Sequence, residues 1–139
     1  MRFLVIVKAS KASERGDMPS TEMLTAMGRF NQQLVDAGIM LAADGLHPSS
    51  KGARVHFGKN QTVTKGPFTN TNDLVAGYWV WRLPSLDDAI AWLKRAPFLE
   101  GDEVEIRPIF EAEDFGEQLT QELREQERRQ GQKIAEYAG

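Results

Sequence analysis

Asp44 and His47 are the two residues whose types and spacing best suit acid/base chemistry. They stand three positions apart, directly after a short apolar run that predicts a strand. A carboxylate and an imidazole that lie close together can exchange a proton with a bound molecule near neutral pH. Alternatively, Asp44 accepts hydrogen bonds from the amides of a turn, and His47 is a solvated residue that precedes proline. The sequence leaves both interpretations open.

Lys8, Lys65 and Arg107 are cationic candidates for binding an anionic ligand. Arg107 stands out because it lies within a predicted strand, where a charge must be paired or face a cavity. Glu105 lies on the same face of that strand, since side chains alternate with a period of two. A purely structural ion pair between Glu105 and Arg107 is therefore the alternative.

Aromatic side chains form another group of candidates for ligand contact. Tyr78, Trp79 and Trp81 can line an apolar pocket for a planar molecule, and Phe68 follows a Gly-Pro turn beside a predicted hairpin. The alternative for the three strand residues is the core or a dimer interface, because aromatic residues supply much of the buried area in small domains.

Other kinds of site find little support. The two histidines, His47 and His56, are nine positions apart with a predicted turn between them, and cysteine is absent, so we expect no metal site. The glycines form neither the phosphate-loop pattern nor the dinucleotide-binding pattern, so we expect no cofactor. Ser49 and Ser50 have no convincing base partner beyond His47, which disfavours a serine nucleophile.

Composition and charge narrow the class of protein. Residues 1–111 carry 13 basic and 13 acidic side chains, whereas residues 112–139 carry 4 and 7, so the net charge of −3 lies in the tail. A neutral body disfavours nucleic-acid binding. The first apolar run is five residues long, against about 20 for a membrane span. Because the absence of cysteine also fits a reducing compartment, we expect a soluble cytoplasmic protein with no membrane partner.

Hydrophobic patterns in the first half of the chain predict two strands and a helix. A continuous apolar run at residues 3–7 predicts a buried strand, and the polar stretch 9–18 predicts a loop. Ser20 or Thr21 is expected to cap a helix that ends at Gly38. Its apolar face would consist of Met23, Met27, Phe30, Leu34 and Ala37. Residues 39–43 predict a second strand, which opens into a polar loop.

The second half of the chain predicts a hairpin, two strands and a helix. Residues 53–57 and 62–64 predict the hairpin, which ends at the turn Gly66-Pro67-Phe68. The strand predicted at 75–83 places Tyr78 on one face and Trp79 and Trp81 on the other. Ser85 caps a helix that Pro97 stops, and residues 103–110 predict the last strand.

This order of elements predicts an α+β fold, the ferredoxin-like split βαβ plan with an extra β-hairpin. Two helices would cover one face of an antiparallel sheet and leave apolar side chains on the other, so we expect a homodimer with facing sheets. We assign the domain to residues 1–111. Residues 112–139 form an acidic C-terminal extension, whose helix is predicted at 117–132. The apolar stripe of that extension is Phe115, Leu119 and Leu123.

Several motifs together resemble the YCII-related family, in its branch of DGPF-domain proteins. They are, in chain order, Lys8-Ala9-Ser10, Ala37-Gly38-Ile39, Ala43-Asp44-Gly45-Leu46-His47-Pro48, Gly66-Pro67-Phe68, Ala76-Gly77-Tyr78-Trp79 and Glu105-Ile106-Arg107-Pro108. The resemblance extends over nearly the whole chain. It implies a ferredoxin-like fold that dimerises into an α+β barrel, in agreement with the pattern of elements.

The resemblance also implies a catalytic role in simpler family members for a His in the first helix and an Asp after it. Residues 21–37 of this chain contain no His, so that dyad does not carry over intact. Lys65 replaces the acid that leads the Gly-Pro-Phe motif, which reverses the charge at that position. Asp44 and the Gly-Pro-Phe residues themselves match the family pattern.

Two functions from different classes fit these observations. In the first, a cofactor-independent enzyme uses Asp44 and His47 as an acid/base pair on a small molecule bound in a cleft of the dimer. The ligand contacts would then come from Lys65, Phe68, Tyr78, Trp81 and Arg107. In the second, the protein is a non-enzymatic module that senses a ligand or engages a partner protein through its acidic tail.

Overall fold

The computed structural model describes residues 1–138, apart from the side chain of residue 71. The chain divides into two compact units, Met1–Pro108 and Ile109–Gly139. The elements of the first unit are, in chain order, β1 (Arg2–Lys8), α1 (Lys11–Arg15), α2 (Thr21–Asp36), β2 (Met40–Gly45), β3 (Ala53–His56), β4 (Thr62–Lys65), β5 (Val75–Arg82), α3 (Leu86–Leu93) and β6 (Val104–Pro108). Short 3-10 turns lie at Ser49–Lys51 and Thr71–Asp73.

Four strands of this unit form an antiparallel sheet in the order β2-β5-β1-β6. The strands β1 and β5 are central, and β2 and β6 are the edges. This order, with α2 between β1 and β2 and α3 between β5 and β6, is the split βαβ plan. The predicted ferredoxin-like α+β fold is confirmed. Strands β3 and β4 pair separately as the predicted hairpin, with Ala53 opposite Lys65 and His56 opposite Thr62.

The two long helices of the unit begin where the sequence predicts. The Ser20 hydroxyl accepts a hydrogen bond from the Met23 amide at 3.1 Å. This side-chain cap satisfies one of the amides of the first turn, which have no carbonyl acceptor within the helix. Ser85 caps α3 in the same way through the Asp88 amide. Gly38, at φ 72°, adopts the left-handed conformation that terminates α2.

The core lies between the helices and one face of the sheet. Phe30 of α2 packs edge-on against Trp79 and Trp81 of β5, with ring centroids 6.0 and 6.2 Å apart. Edge-to-face geometry is the favoured arrangement of aromatic pairs. The buried cluster consists of Phe3, Val5, Phe30, Leu34, Ile39, Trp79, Trp81, Leu83 and Ala89. Both helices and both central strands therefore share one core.

The opposite face of the sheet carries the alternate side chains of the same strands. Leu4, Ile6, Tyr78 and Val80 lie there, and each is half-buried. Register supports this assignment, since Ile6 pairs with Tyr78 and Leu4 pairs with Val80. We call this surface the open sheet face.

The predicted loop at residues 9–18 is wrong in part, because Lys11–Arg15 forms the short helix α1. The Ser10 hydroxyl accepts from the Ser13 amide at 3.1 Å, while the Ser13 hydroxyl accepts from the Ser10 amide at 2.8 Å. This reciprocal capping supplies the partners that a single helical turn needs. Gly16, at φ 83°, ends the helix.

The second unit contains a 3-10 segment, Ala112–Gln118, followed by α4, Gln121–Tyr137. The Thr120 hydroxyl caps α4 by accepting from the Leu123 amide at 3.3 Å. The predicted three-residue stripe is therefore wrong, because Phe115 and Leu119 precede the helix and only Leu123 lies on it. Phe115 instead packs against Phe110, with centroids 5.1 Å apart.

None of the helices among residues 1–138 is both long enough and apolar enough to cross a membrane.

Candidate functional site

The hydrogen-bond partner of Asp44 is Tyr78, whose hydroxyl donates to Asp44 Oδ2 at 2.7 Å. Strand pairing creates this contact, since Asp44 of the edge strand β2 lies opposite Tyr78 of the central strand β5. The hydrogen bond to Asp44 raises the pKa of Tyr78, with smaller contributions from the negative charge of Asp44 and from burial. Tyr78 therefore keeps its proton while it holds the carboxylate in place.

A cleft of about 390 Å³ adjoins this pair. Most of its wall is apolar, and its polar side chains are few. The lining residues with side chains are Val7, Pro19, Met27, Asn31, Ala43, Asp44, Ala76, Tyr78, Trp79 and Phe98. Gly45 and Gly77 complete the lining, and they lie opposite each other in the strand register. Apolar walls with a small number of polar groups are typical of sites for small organic molecules. We call this surface the Asp44–Tyr78 cleft.

Asn31 of α2 lines the same cleft from the helix-covered face of the sheet, the face opposite to that of Asp44 and Tyr78. The indole Nε1 of Trp79 donates to Asn31 Oδ1 at 3.0 Å. Because an indole N–H can only donate, the amide oxygen must face Trp79, and the Nδ2 group is directed elsewhere. Within residues 1–138, Asn31 Nδ2 has no protein acceptor. It can therefore donate to an oxygen of a bound molecule.

His47 lines a different cleft, of about 460 Å³. Asp44 does not line this second cleft, and no hydrogen bond joins Asp44 to His47 in the described part of the chain. The predicted acid/base pair is thus divided between two neighbouring clefts. The second cleft is lined by Glu14, Leu46, His47, Pro48, Ser49, Lys51, Gly52, Ala53, Arg54, Phe68, Asp73, Leu74 and Val75. We call it the Ser49–Phe68 cleft.

Ser49 forms hydrogen bonds with the carboxylate of Glu14, a residue that is distant from it in sequence. Its hydroxyl donates to Glu14 Oε1 at 2.5 Å, and its amide donates to Glu14 Oε2 at 2.9 Å. These two bonds from Ser49 lower the pKa of Glu14. The Ser49 hydroxyl oxygen also accepts from the Phe68 amide at 2.9 Å. Ser49 thereby links α1 to the Gly-Pro-Phe turn.

Gly66 is required at its position by the close approach of another chain segment. A Cβ at Gly66 would overlap the carbonyl oxygen of Ser49. The Gly66 amide donates to the carbonyl of Gly52 at 3.0 Å, and the Gly66-Pro67 bond is cis. The guanidinium carbon of Arg54 lies 3.9 Å from the centroid of the Phe68 ring. The turn is therefore packed against the hairpin and the 3-10 turn at Ser49–Lys51.

Two of the three predicted cationic residues, Lys8 and Arg107, share Glu105 as an ion-pair partner. Lys8 Nζ lies 3.3 Å from Glu105 Oε1, whereas Arg107 Nε lies 3.9 Å from Glu105 Oε2. Glu105 therefore pairs more closely with Lys8 than with Arg107, whose side chain is 72% exposed. Lys65 ends the exposed hairpin strand β4 and lines neither described cleft.

Trp81 does not fit its predicted place among the ligand contacts. Its side chain is 0% exposed and lies in the core beside Phe30 and Trp79. Tyr78 lies on the opposite face of β5, so alternation along the strand separates the two side chains. The core interpretation of Trp81 is the one that its burial supports.

Asn31 and Glu14 are the candidate site residues that sequence reasoning missed. Asn31 lies on the predicted helix, and its position one residue after the buried Phe30 is a weak signal. Glu14 falls within the predicted loop, although the pair Ser10 and Ser13 is a capping pattern that can reveal a short helix. Neither signal identifies a partner, because Trp79 is 48 positions from Asn31 and Ser49 is 35 positions from Glu14.

Comparison with known proteins matches residues 1–113 to the YCII-related domain. The sequence matches no curated protein. Among solved structures, the chain is similar to 5-chloro-2-hydroxyhydroquinone dehydrochlorinase from Burkholderia phenoliruptrix AC1100, in complex with 2,5-dihydroxybenzoquinone. The two chains are 14% identical with a TM-score of 0.41, and the match covers 81% of this chain and 98% of the other.

Proposed function

Because this chain belongs to the YCII-related domain family, we propose that it binds a small organic molecule in the Asp44–Tyr78 cleft and transfers a proton to or from it without a cofactor. The observation that carries the proposal is the hydrogen bond between Tyr78 and Asp44 at 2.7 Å, beside a cleft with mostly apolar walls. Titratable groups paired in this way at a cleft are candidates for acid/base catalysis.

Asp44 is the proposed base. Its carboxylate oxygens accept protons, and Tyr78 occupies only one of them, so Oδ1 is available to an acidic O–H or C–H group of the ligand. The proton moves to the carboxylate, and the electron pair that it leaves stays on the ligand. Tyr78 keeps its own proton and orients the carboxylate during the transfer.

Asn31 is the proposed contact for a second polar group of the ligand, because it lines the cleft from the helix-covered face of the sheet, whereas Asp44 and Tyr78 lie on the open sheet face. Its Nδ2 group is a fixed donor, because the bond from Trp79 holds the amide in one orientation. A donor that is already oriented can bind an oxygen of the ligand without reorganisation. The favoured ligand class is therefore a small molecule with an enolisable carbonyl or a phenolic hydroxyl. His47 would have a role in this reaction only if it reached Asp44 from the Ser49–Phe68 cleft.

We also propose that the protein is a homodimer that pairs its open sheet faces. Leu4, Ile6 and Val80 form an apolar stripe across the central strands of that face. The ion pair of Lys8 and Glu105 borders the stripe. Apolar surfaces of this kind are commonly covered by a second copy of the chain, in a symmetric arrangement.

Deuterium exchange tests the proposed proton transfer even when the substrate is unidentified. A panel of enolisable ketones, phenols and hydroxy acids would be screened for binding by ligand-observed NMR, and bound members would be followed in D₂O. We expect exchange at an acidic C–H position of the true ligand class. Asp44→Asn should slow this exchange by roughly 100-fold, which is the usual contribution of a general base. Asp87→Asn is the control, since Asp87 is an exposed carboxylate outside both clefts.

The same experiment separates the enzyme from a ligand-sensing module. Saturable binding that Asn31→Ala weakens, with no exchange above the rate in buffer, would favour the sensing function. Exchange that Asp44→Asn leaves at the wild-type rate would refute Asp44 as the base.

A further inference from the structure

The Gly-Pro-Phe turn takes no part in the proposed proton transfer, yet the fold holds it in place at several points. Phe68 is bonded through its amide to Ser49, Gly66 is bonded through its amide to Gly52, and Arg54 stacks on the Phe68 ring. These contacts form one side of the Ser49–Phe68 cleft. The turn therefore shapes a second cleft with its own lining.

Both acidic side chains of this cleft already have hydrogen-bond donors. The two oxygens of Glu14 each accept from Ser49, one from the hydroxyl and one from the amide. Asp73 Oδ2 accepts from Asn70 Nδ2 at 2.6 Å. These bonds come from neutral donors, and within the described residues neither carboxylate lies at ion-pair distance from Lys51 or Arg54.

The cationic side chains of the cleft have no such partners. Lys51 and Arg54 both line it, and within residues 1–138 neither has a carboxylate at ion-pair distance. Arg54 lies over the Phe68 ring at 3.9 Å, an arrangement that leaves the N–H edges of the guanidinium accessible. Within residues 1–138 the cleft therefore contains two cationic side chains without an ion-pair partner, on a lining that also includes the acidic residues Glu14 and Asp73.

The wall beside these cations is apolar. Leu46, Phe68, Leu74 and Val75 line the cleft, and Leu74 is only 8% exposed. A ligand that satisfied the cations alone, such as inorganic phosphate, would leave this wall in contact with water. A ligand with an apolar body and one carboxylate would contact both parts.

We propose that the Ser49–Phe68 cleft is a second binding site, which takes a small organic carboxylate with an apolar body. The carboxylate pairs with Arg54 and Lys51, and the body packs on Phe68 and Leu74. Arg is suited to this task because its planar group binds a carboxylate through two parallel hydrogen bonds. The site is separate from the Asp44–Tyr78 cleft. Binding at this site does not depend on proton transfer in that cleft.

NMR titration of the ¹⁵N-labelled full chain tests the site with three matched probes. These are 3-phenylpropionate, its neutral analogue 3-phenylpropionamide, and inorganic phosphate. We expect saturable shifts of amides at 46–54 and 66–75 with 3-phenylpropionate, and binding weaker by about tenfold or more with each of the other two. Equal binding of the amide, equal binding of phosphate, or no shifts up to about 10 mM of the carboxylate would overturn the proposal.

Substitutions of the cationic residues identify the side chains that bind the carboxylate of the probe. Arg54→Gln should weaken 3-phenylpropionate binding by about tenfold, whereas Lys59→Gln, at the exposed hairpin turn, should leave it unchanged. Lys51→Gln is a second variant on a different element, and wild-type affinity in both Arg54→Gln and Lys51→Gln would refute the assignment. Asp44→Asn should bind the probe as the wild type does, and a loss there would place the probe in the Asp44–Tyr78 cleft and overturn the proposal. The two proposals can therefore fail separately.

Discussion

Ser49 and Glu14 are joined through two hydrogen bonds, at 2.5 Å from the hydroxyl and 2.9 Å from the amide. The pair connects the polar loop after β2 to the short helix α1, across 35 positions of sequence. The same hydroxyl accepts from the Phe68 amide, so the Gly-Pro-Phe turn, the 3-10 turn and α1 share one side chain. The contribution of this link to the stability of the fold can be measured by substituting the residues that form it.

Ser49→Ala should lower the free energy of unfolding by about 1–2 kcal/mol, since it removes a half-buried hydroxyl that donates one hydrogen bond and accepts another. Ser50→Ala is the control, because Ser50 is the exposed neighbour in the same 3-10 turn. Urea unfolding of both variants measures the difference. Equal stabilities of the two variants would contradict a structural role of the Ser49 hydroxyl.

The hydrogen bonds between Ser49 and Glu14 should contribute less stability at acidic pH. The bonds from Ser49 lower the pKa of Glu14 from its ordinary value of 4.5, so the folded state favours the ionised carboxylate. The stability that Glu14 contributes is therefore present above 4.5 and is lost as the pH falls through the lowered pKa of the folded state. The difference in urea midpoint between wild type and Ser49→Ala should shrink between pH 6 and pH 3. A difference that stays constant over this range would contradict an ionised Glu14 partner.

Tyr78 should titrate above its ordinary pKa of 10.0, chiefly because its hydroxyl donates to Asp44. Tyr78 and Tyr137 are the two tyrosines of the chain, so a Tyr137→Phe background isolates the signal of Tyr78. In that background, Asp44→Asn should shift the absorbance titration at alkaline pH toward 10.0. The stability contributed by the neutral phenol is present below 10.0 and is lost as the pH rises through the raised pKa. An unshifted titration would contradict the hydrogen bond.

Gly66→Ala should cost about 3 kcal/mol of stability, because its new Cβ would overlap the Ser49 carbonyl and one backbone segment would have to move. Gly58→Ala is the matched control in the hairpin turn. A Cβ there would meet its nearest neighbours at 3.7 Å, an ordinary contact distance. Thermal unfolding of both variants measures the effect, and a Gly66→Ala protein as stable as Gly58→Ala would refute the close packing of the turn.

Ile6→Glu should convert a dimer into a monomer by placing a charge at the centre of the open sheet face. Val55→Glu introduces the same charge on the exposed hairpin and should leave the oligomeric state unchanged. Sedimentation velocity at micromolar protein measures the outcome. A monomeric wild-type protein would refute the dimer, and a dimeric Ile6→Glu variant would place its interface elsewhere.

Local patterns in the sequence account for most of the fold. Ser20 and Ser85 were identifiable as caps, and Gly38 as a terminator, because these functions depend on residues within four positions. The alternation along β5 assigned Tyr78 and Trp81 to opposite faces for the same reason. Helix α1 was not predicted, because a single helical turn has too few residues to show a hydrophobic periodicity.

The candidate sites depend on contacts between distant parts of the chain. The sequence by itself determined the strands, the two long helices, the hairpin and the family, since these follow from local periodicity, capping and motifs. Only the tertiary structure decided that Asp44 pairs with Tyr78 rather than with His47, and that Ser49 pairs with Glu14. Strand register and the packing of α1 set these pairs, and neither depends on spacing along the chain. The physical reason is that hydrogen bonds require atoms within about 3 Å, a distance that only the folded chain establishes.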